Sequence, residues 1–549
     1  MRYRQHDGQA REHSLFSLYA AVLVAAGIAL RLWQFAGKSA LWTDEATLAN
    51  NIVTRPYLRL VLEPLGHNQA APPGFLIVEK AAVSLFGVNE LALRAVPFVC
   101  SIIALLLLWR LAARLVSVEA VPLVLAPFAL APPLIFFAAD AKQYSSDVAI
   151  ALVLITVSLE LGEGEMTRRR AMILGAVGAI AVWLSQPAVL VLAGLGAALL
   201  VHAFLTREGS ERARRGRSRI VGVVGAWAVS GATLVAVSFQ HLAPASRRYM
   251  YLFWNDGFWP IAPVRLSSWT WPMLHSAALL GGQLALPTSV AAGGVLLAAV
   301  GVVALWQRNR LAAMLLVAPV VVALGASAAQ LYPFAGRLAL FLVAPMLLLA
   351  AVGLDAIAAS IPRARLATAT RGLAALVLLG MSARALRASP PVYRPEEISP
   401  VIDYLRRAAT PSDASYVYYG AVPAFQFYAS IDSIPGSTVL GTCHRGDVRA
   451  YLAELDHFRG RSRTWVLFGH ELPRLHERDI MVHYLETIGS ARDSAVSSGR
   501  DVDGNVVSER LYLFDLSDST RLGTATAGDF SIAHQVPLEA RFACAPPDE

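Results

Sequence analysis

The chain has 549 residues, 56% of them hydrophobic and only 16% charged, with a formal net charge of +8 and a mean hydropathy of +0.51. Soluble chains carry about a quarter charged residues, so a soluble globular protein is excluded and a polytopic membrane protein is indicated. The positive charge is Arg in short loops between apolar runs, which points away from a nucleic-acid partner, and Cys100, Cys443 and Cys544 have no CxxC spacing, which speaks against a zinc finger or dithiol site.

The first apolar run, 15–34, lacks a small-residue cleavage site and reads as a retained span. Directly beyond it, "LWTDEA" (41–46) places Asp44 and Glu45 side by side next to Trp42. Acids there suit the first turn of a surface helix capped by Thr43. They equally suit chemistry at a membrane surface. The run "PPGFLIVEKAAVSLFG" (72–87) is short, opens on two prolines and carries Glu79 and Lys80. Further apolar segments cover 94–114, 119–138, 147–162, 171–185, 187–205, 219–240, 283–306, 311–330, 337–357 and 371–388, most near the ~20 residues that span a bilayer.

Sidedness follows from the Arg-rich loops at 167–170, 206–219, 307–310 and 362–371 and from Arg2, Arg4 and Arg11. If 72–87 does not cross, all of these share one side, which the positive-inside rule makes cytoplasmic. The expectation is a mainly α, multi-pass protein of the plasma (inner) membrane with about eleven spans, 72–87 at the outer face, the N-terminus inside and the C-terminus outside. A transmembrane domain (1–388) then exposes two outer loops, 35–93 and the aromatic 240–272 with Arg247 and Arg248.

From about 389 the chain changes character. A Pro-rich linker precedes strand-like "SYVYYG", "TWVLFGH" and "ERLYLFDLS", separated by stretches with helical periodicity, so 389–549 is expected to be an extracytoplasmic α/β domain. That compartment permits a disulfide between Cys443 and Cys544, although their spacing does not select one.

The spans hold few ionisable residues, unlike ion-coupled transporters, which keep acids or bases near mid-membrane. Charges gather instead at outer helix mouths: Asp44, Glu45, His67, Arg94, Asp140, Lys142, Asp147, Arg247, Arg248 and Arg337. A carboxylate can accept the proton of an attacking hydroxyl, and Lys or Arg can hold a phosphate as charge develops on it. Arg337 also fits a helix-end arginine reaching for water, and Arg247 and Arg248 an aromatic belt.

In order, "LWTDEA", "HNQAAPPGFLIVEKAAVSLFGVNELALRAVPF" and "AADAKQYSSDVAIAL" resemble the GT-C-fold glycosyltransferases that use polyprenyl-phosphate sugars, in particular the protein-mannosyltransferase-like and aminoarabinose-transferase-like group. The resemblance covers about residues 15 to 390. It implies a GT-C enzyme that moves a sugar from a polyprenyl-phosphate lipid to an acceptor hydroxyl on the extracytoplasmic side, usually with inversion. It assigns Asp44 as catalytic aspartate, Glu45 as its acidic neighbour, Asp147 as the second outer acid and Arg337 as partner of the lipid phosphate. Lys142 is a second candidate for that phosphate, and Glu45, Tyr144, Arg247 and Arg248 are expected with Arg337 and Lys142 on the substrate side. The acceptor is left open among glycan, lipid and protein. His67 stands apart from Pro72-Pro73, and "QAAPP" replaces a Glu-Lys-Pro run, so no metal is assigned to this loop and dependence on a divalent metal stays open. The rival classes are a lipid or solute transporter or flippase, and a non-catalytic membrane sensor. The enzyme reading expects Asp44, Asp147 and Arg337 to converge on one outer cavity open to lipid.

Overall fold

The computed structural model describes residues 2–67, 69–205, 211–241, 250–260 and 266–530. Among them, nine helices are long and apolar enough to cross a membrane. The chain is a multi-pass membrane protein, mainly helical, with a small sheet in its C-terminal region. Of the eleven expected segments, two depart from a simple span.

The run 119–138 is broken. Helix α6 (Val121–Leu130) stops at Ala131, and the short α7 (Pro132–Phe137) begins on Pro132-Pro133. A proline removes a backbone donor and disfavours helix in the residue before it. Arg31, on α1 (Arg2–Ala36) and 1% exposed, supplies donors to carbonyls at this break, with Nη1 to Ala129 O at 2.9 Å and Nη2 to Phe128 O at 3.1 Å. Gly27, one turn earlier, allows the approach: a Cβ there would lie 2.9 Å from the Cβ of Ala129. The run 171–185 forms Arg168–Leu184, whose 17 residues make about 25 Å of helix. The helix Leu266–Leu284 is not among the expected segments, since its first residues read as aromatic loop.

After α1 come α2 (Thr43–Thr54), α3 (Tyr57–Leu62) and α4 (Pro73–Phe86). With 14 residues, α4 is about 21 Å long, short of the ~30 Å hydrocarbon core. It packs beneath α2, and Lys80 Nζ donates to Ile52 O at 2.7 Å, in the last turn of α2. The spans α5 (Glu90–Leu115) and α8 (Tyr144–Gly162) follow.

In the C-terminal region, β1 (Ala414–Val417), β2 (Ser437–Leu440), β3 (Thr464–Phe468), β4 (Ser490–Arg500) and β5 (Val506–Asp515) form a sheet ordered β2-β1-β3-β5-β4. β1 is parallel to β2 and β3, whereas β5 is antiparallel to β3 and β4. The three strands read from the sequence are β1, β3 and β5. The other two have no aromatic residue: β2 is only four residues, all exposed, and β4 is rich in Ser and Arg.

β1 and β3 are buried on both faces. Tyr416, Val466 and Phe468 pack on the region's own helices. Val417, Trp465 and Leu467 instead join one core with Leu41, Ala46, Ile52, Phe75 and Leu93. The sheet is thus seated on the first loop through a shared apolar core, reinforced by Leu41 N donating to Tyr428 Oη (3.0 Å) and Asn50 Nδ2 donating to Pro423 O (2.8 Å). Cys443 is disulfide-bonded; Cys544, its expected partner, lies outside the described residues.

Candidate active site

The site forms where α2, α8 and the helix beginning at Gly336 start. Trp42, not Thr43, is the N-cap of α2 and makes no side-chain cap hydrogen bond. A carboxylate 353 positions away takes that role: Glu396 Oε2 accepts from Thr43 N at 2.7 Å and from Thr43 Oγ1 at 2.8 Å. Asp44 follows in the first helical turn, where backbone N–H groups favour a negative charge.

The Asp44 carboxylate accepts from Arg337 Nη2 at 2.6 Å. Gly336, with φ +46°, makes the left-handed turn from which Arg337 emerges. The guanidinium sits among three rings, with centroids 5.5 Å away for Trp42, 5.5 Å for Tyr144 and 5.9 Å for Trp254. Each such contact contributes about 0.5–2 kcal/mol, depending on desolvation. Arg337 keeps a quarter of its side-chain surface exposed, which leaves room for a further anionic partner.

Lys142 is buried, and its Nζ donates to Gln69 Oε1 at 2.5 Å. Burial would raise the pKa of Asp44, but Arg337, Lys142 and His470 outweigh it and hold the carboxyl below its ordinary value. Burial pulls Lys142 below the usual lysine value, against Asp44 and together with Arg337. Asp140, which accepts from Trp42 Nε1 at 3.1 Å, is pushed well above the carboxylate range by burial and by Glu45. Arg337 and Lys142 thus gather around Asp44, while burial and Glu45 shift Asp140 toward its neutral form, an arrangement that suits an anion.

Glu45 requires a correction as a substrate-binding residue. It is 1% exposed, and both its oxygens are engaged: Oε1 accepts from Arg94 Nε (2.8 Å) and Ala141 N (2.7 Å), and Oε2 from Arg94 Nη2 (2.5 Å) and Trp42 N (3.3 Å). Arg94 also donates to Ser39 O and Ala40 O. The pair ties together the loop, α5 and the segment before Lys142, so Glu45 shapes the site from behind. Among the described residues no hydrogen bond or ion pair links Asp147 to Asp44 or Arg337. Asp147 lies one helical turn beyond Tyr144, is buried, and has Oδ1 without a hydrogen-bond partner. Arg247 and Arg248 lie outside the described residues. Among the described residues, no group of three or more His, Cys, Asp or Glu could hold a metal ion.

The C-terminal region contributes residues that sequence reasoning missed. His470 follows β3, and its Nδ1 is 2.5 Å from Glu396 Oε1. Glu509, on β5, lies against Gly469 and is 1% exposed; burial, Glu396 and Glu471 push its carboxyl up to about 9. An unfolded Glu ionises near ~4.3. Between those values the folded chain keeps a proton that the unfolded chain has lost, so this group lowers stability as pH rises. Glu509→Gln should therefore flatten the pH dependence: its thermal midpoint should fall less than that of wild type between about pH 5 and pH 9. Parallel curves for the two proteins would refute this account of Glu509.

No protein-family model matches the chain, and no curated protein matches it by sequence. Among solved structures it is similar to ArnT from Cupriavidus metallidurans bound to undecaprenyl phosphate, with a TM-score of 0.46 and 13% identity over 90% of this chain and 97% of that one. It is also similar to the archaeal oligosaccharyltransferase AglB from Archaeoglobus fulgidus in complex with an inhibitory peptide and a dolichol-phosphate, with a TM-score of 0.43 and 11% identity over 91% of this chain and 74% of that one.

Proposed function

We propose that the protein is an inverting membrane glycosyltransferase of the GT-C type, moving a sugar from a polyprenyl-phosphate carrier to an acceptor hydroxyl on the extracytoplasmic face. The observation that carries this reading is the Asp44–Arg337 pair, set in an aromatic cage beside Lys142 at the ends of two spans. The ordered motifs of the first 150 residues support it. A lipid-linked donor keeps its tail in the membrane while its sugar meets the acceptor in water, so the machinery belongs at such a boundary.

In the proposed step the acceptor oxygen attacks the anomeric carbon. Its proton passes to the Asp44 carboxylate as the new C–O bond forms. The bond from the anomeric carbon to the phosphate oxygen breaks, and polyprenyl phosphate leaves with the electron pair. Arg337 and Lys142 hold the charge that collects on that phosphate. The donor phosphate competes with Asp44 for Arg337, which frees the carboxylate as the donor binds.

The reading is tested with purified protein in lipid, radiolabelled polyprenyl-phosphate sugars and candidate glycan, lipid and protein acceptors. No transfer and no donor binding would refute it. Arg337→Ala should weaken donor binding about 10–100-fold, the size of hydrogen bonds to a charged group, with the protein still folded. Arg337→Lys should recover only part of this, because a planar fork becomes a point charge. Unchanged donor binding in Arg337→Ala would leave this arginine as a helix-end residue reaching for water.

The sidedness is tested separately. A reporter active only outside the cytoplasm should work when fused after the sheet region and stay silent at Arg212. The reverse pattern would put the site on the wrong side.

A further inference from the structure

Beside Trp42 lies a cavity of about 330 Å³, bounded by Trp42 and Phe136 on one side and by Pro395, Glu396, His470, Glu471, Asp501, Val502 and Val507 on the other. Trp42 also covers Arg337. The cavity therefore adjoins the cationic cluster across one indole ring and reaches the N-terminus of α2, where Glu396 grips Thr43, the residue before Asp44. Its chemistry is the reverse of that of the cluster. Three carboxylates line it, and among the described residues no Lys or Arg does.

His470 is the distinctive group. It adopts φ +49°, an uncommon conformation for a residue with a side chain. Arg445 Nη2 holds its carbonyl at 2.9 Å. Glu396 is kept ionised: burial opposes this, but His470 and Thr43 outweigh it. A carboxylate accepts only, so the 2.5 Å contact puts a proton on Nδ1. Nε2 is then free to accept a hydrogen bond in the neutral ring or to donate one in the cation, and a sugar hydroxyl can partner either.

We propose that this cavity is the acceptor site, and that it takes an uncharged, hydroxyl-bearing group the size of one sugar ring, positioned by His470. The inference rests on the transferase reading above and adds the acceptor class. The volume is at the small end of the ~300–1,000 Å³ usual for small-molecule sites. The indole and phenyl faces suit the C–H faces of a sugar. Nε2 of His470 and the spare lone pairs of Glu471 hydrogen-bond to its hydroxyls, and the cavity's edge at Trp42 and Glu396 brings it to the helix turn that carries Asp44. Glu396 is paired with His470 and Glu471 with Arg478 at 2.9 Å, so Asp501 is the lining carboxylate left to repel a phosphorylated or carboxylated group.

The test uses the full chain in nanodiscs, with methyl β-glucopyranoside as neutral probe, the corresponding methyl glucuronide as anionic probe and undecaprenyl phosphate as donor-side probe. Saturation-transfer NMR should show the glucoside bound, with the glucuronide at least about tenfold weaker, as like-charge repulsion requires. His470→Ala should weaken glucoside binding about 3–10-fold, the scale of one hydrogen bond. Val507→Trp should fill the cavity and abolish it. Undecaprenyl phosphate binding should not change in Val507→Trp. The proposal is overturned if wild type does not bind the glucoside, if the glucuronide binds as well, or if both variants bind like wild type. Failure of undecaprenyl phosphate to bind wild type would instead count against the donor reading, since the sugar measurements are made without it.

Discussion

Asp44→Asn should abolish turnover while the protein stays folded and still binds donor. An alcohol at neutral pH is a poor nucleophile, and a positioned base contributes about 10²–10⁴-fold in rate. The Asn side chain is nearly isosteric and can still accept from Arg337 Nη2, now 2.6 Å from the carboxylate, but it cannot take the proton. The surroundings favour survival of the fold. Asp44 is only partly buried, and Lys142 and His470 sit close enough to influence its charge. The measurement is turnover of purified variant against wild type with the true donor, alongside thermal midpoint and donor affinity. A well-folded variant that keeps most of its activity would remove Asp44 as the base. It would leave Asp147 the next acid to test, although its placement one turn deeper in α8 argues against direct contact.

Arg94→Met should be the most destabilising single change near the site. The Arg94–Glu45 pair is buried, at 3% and 1% exposure, and Arg94 also satisfies the carbonyls of Ser39 and Ala40. Removing one partner of such a pair costs about 3–5 kcal/mol, because the other charge remains buried and uncompensated. Folded yield and thermal midpoint in detergent should fall well below those of Asp44→Asn. Combining Arg94→Met with Glu45→Gln should recover part of the loss by removing the stranded charge. A single variant as stable as wild type, or a double variant no better than the single, would show that this network does not hold the loop.

Much of this protein can be read along the chain. Apolar runs of membrane length, Arg in alternate loops and the change of composition near residue 389 come from local sequence alone, since a helix buried in lipid must be apolar over its whole length. The β-branched and aromatic residues of β1, β3 and β5 are local signals too. "LWTDEA" marks Asp44 by its own residues, an acid pair directly beyond a span. Convergence of Arg337 with Asp44 is expected from the family resemblance, but their direct pairing across 293 positions, without Asp147, is decided only by the fold. The break at Ala131 is foreseeable from its prolines, yet the arginine that satisfies it belongs to α1. Glu45 and Asp44 are indistinguishable as neighbours in sequence. Helix geometry turns Glu45 toward Arg94 and the interior and Asp44 toward Arg337. Glu396 and His470 carry no local mark at all, because their roles arise only when the sheet docks on α2. Composition and periodicity decided what each segment could become; the pairing of residues hundreds of positions apart, driven by a shared apolar core and by the need to satisfy buried charges, decided which of them make the site.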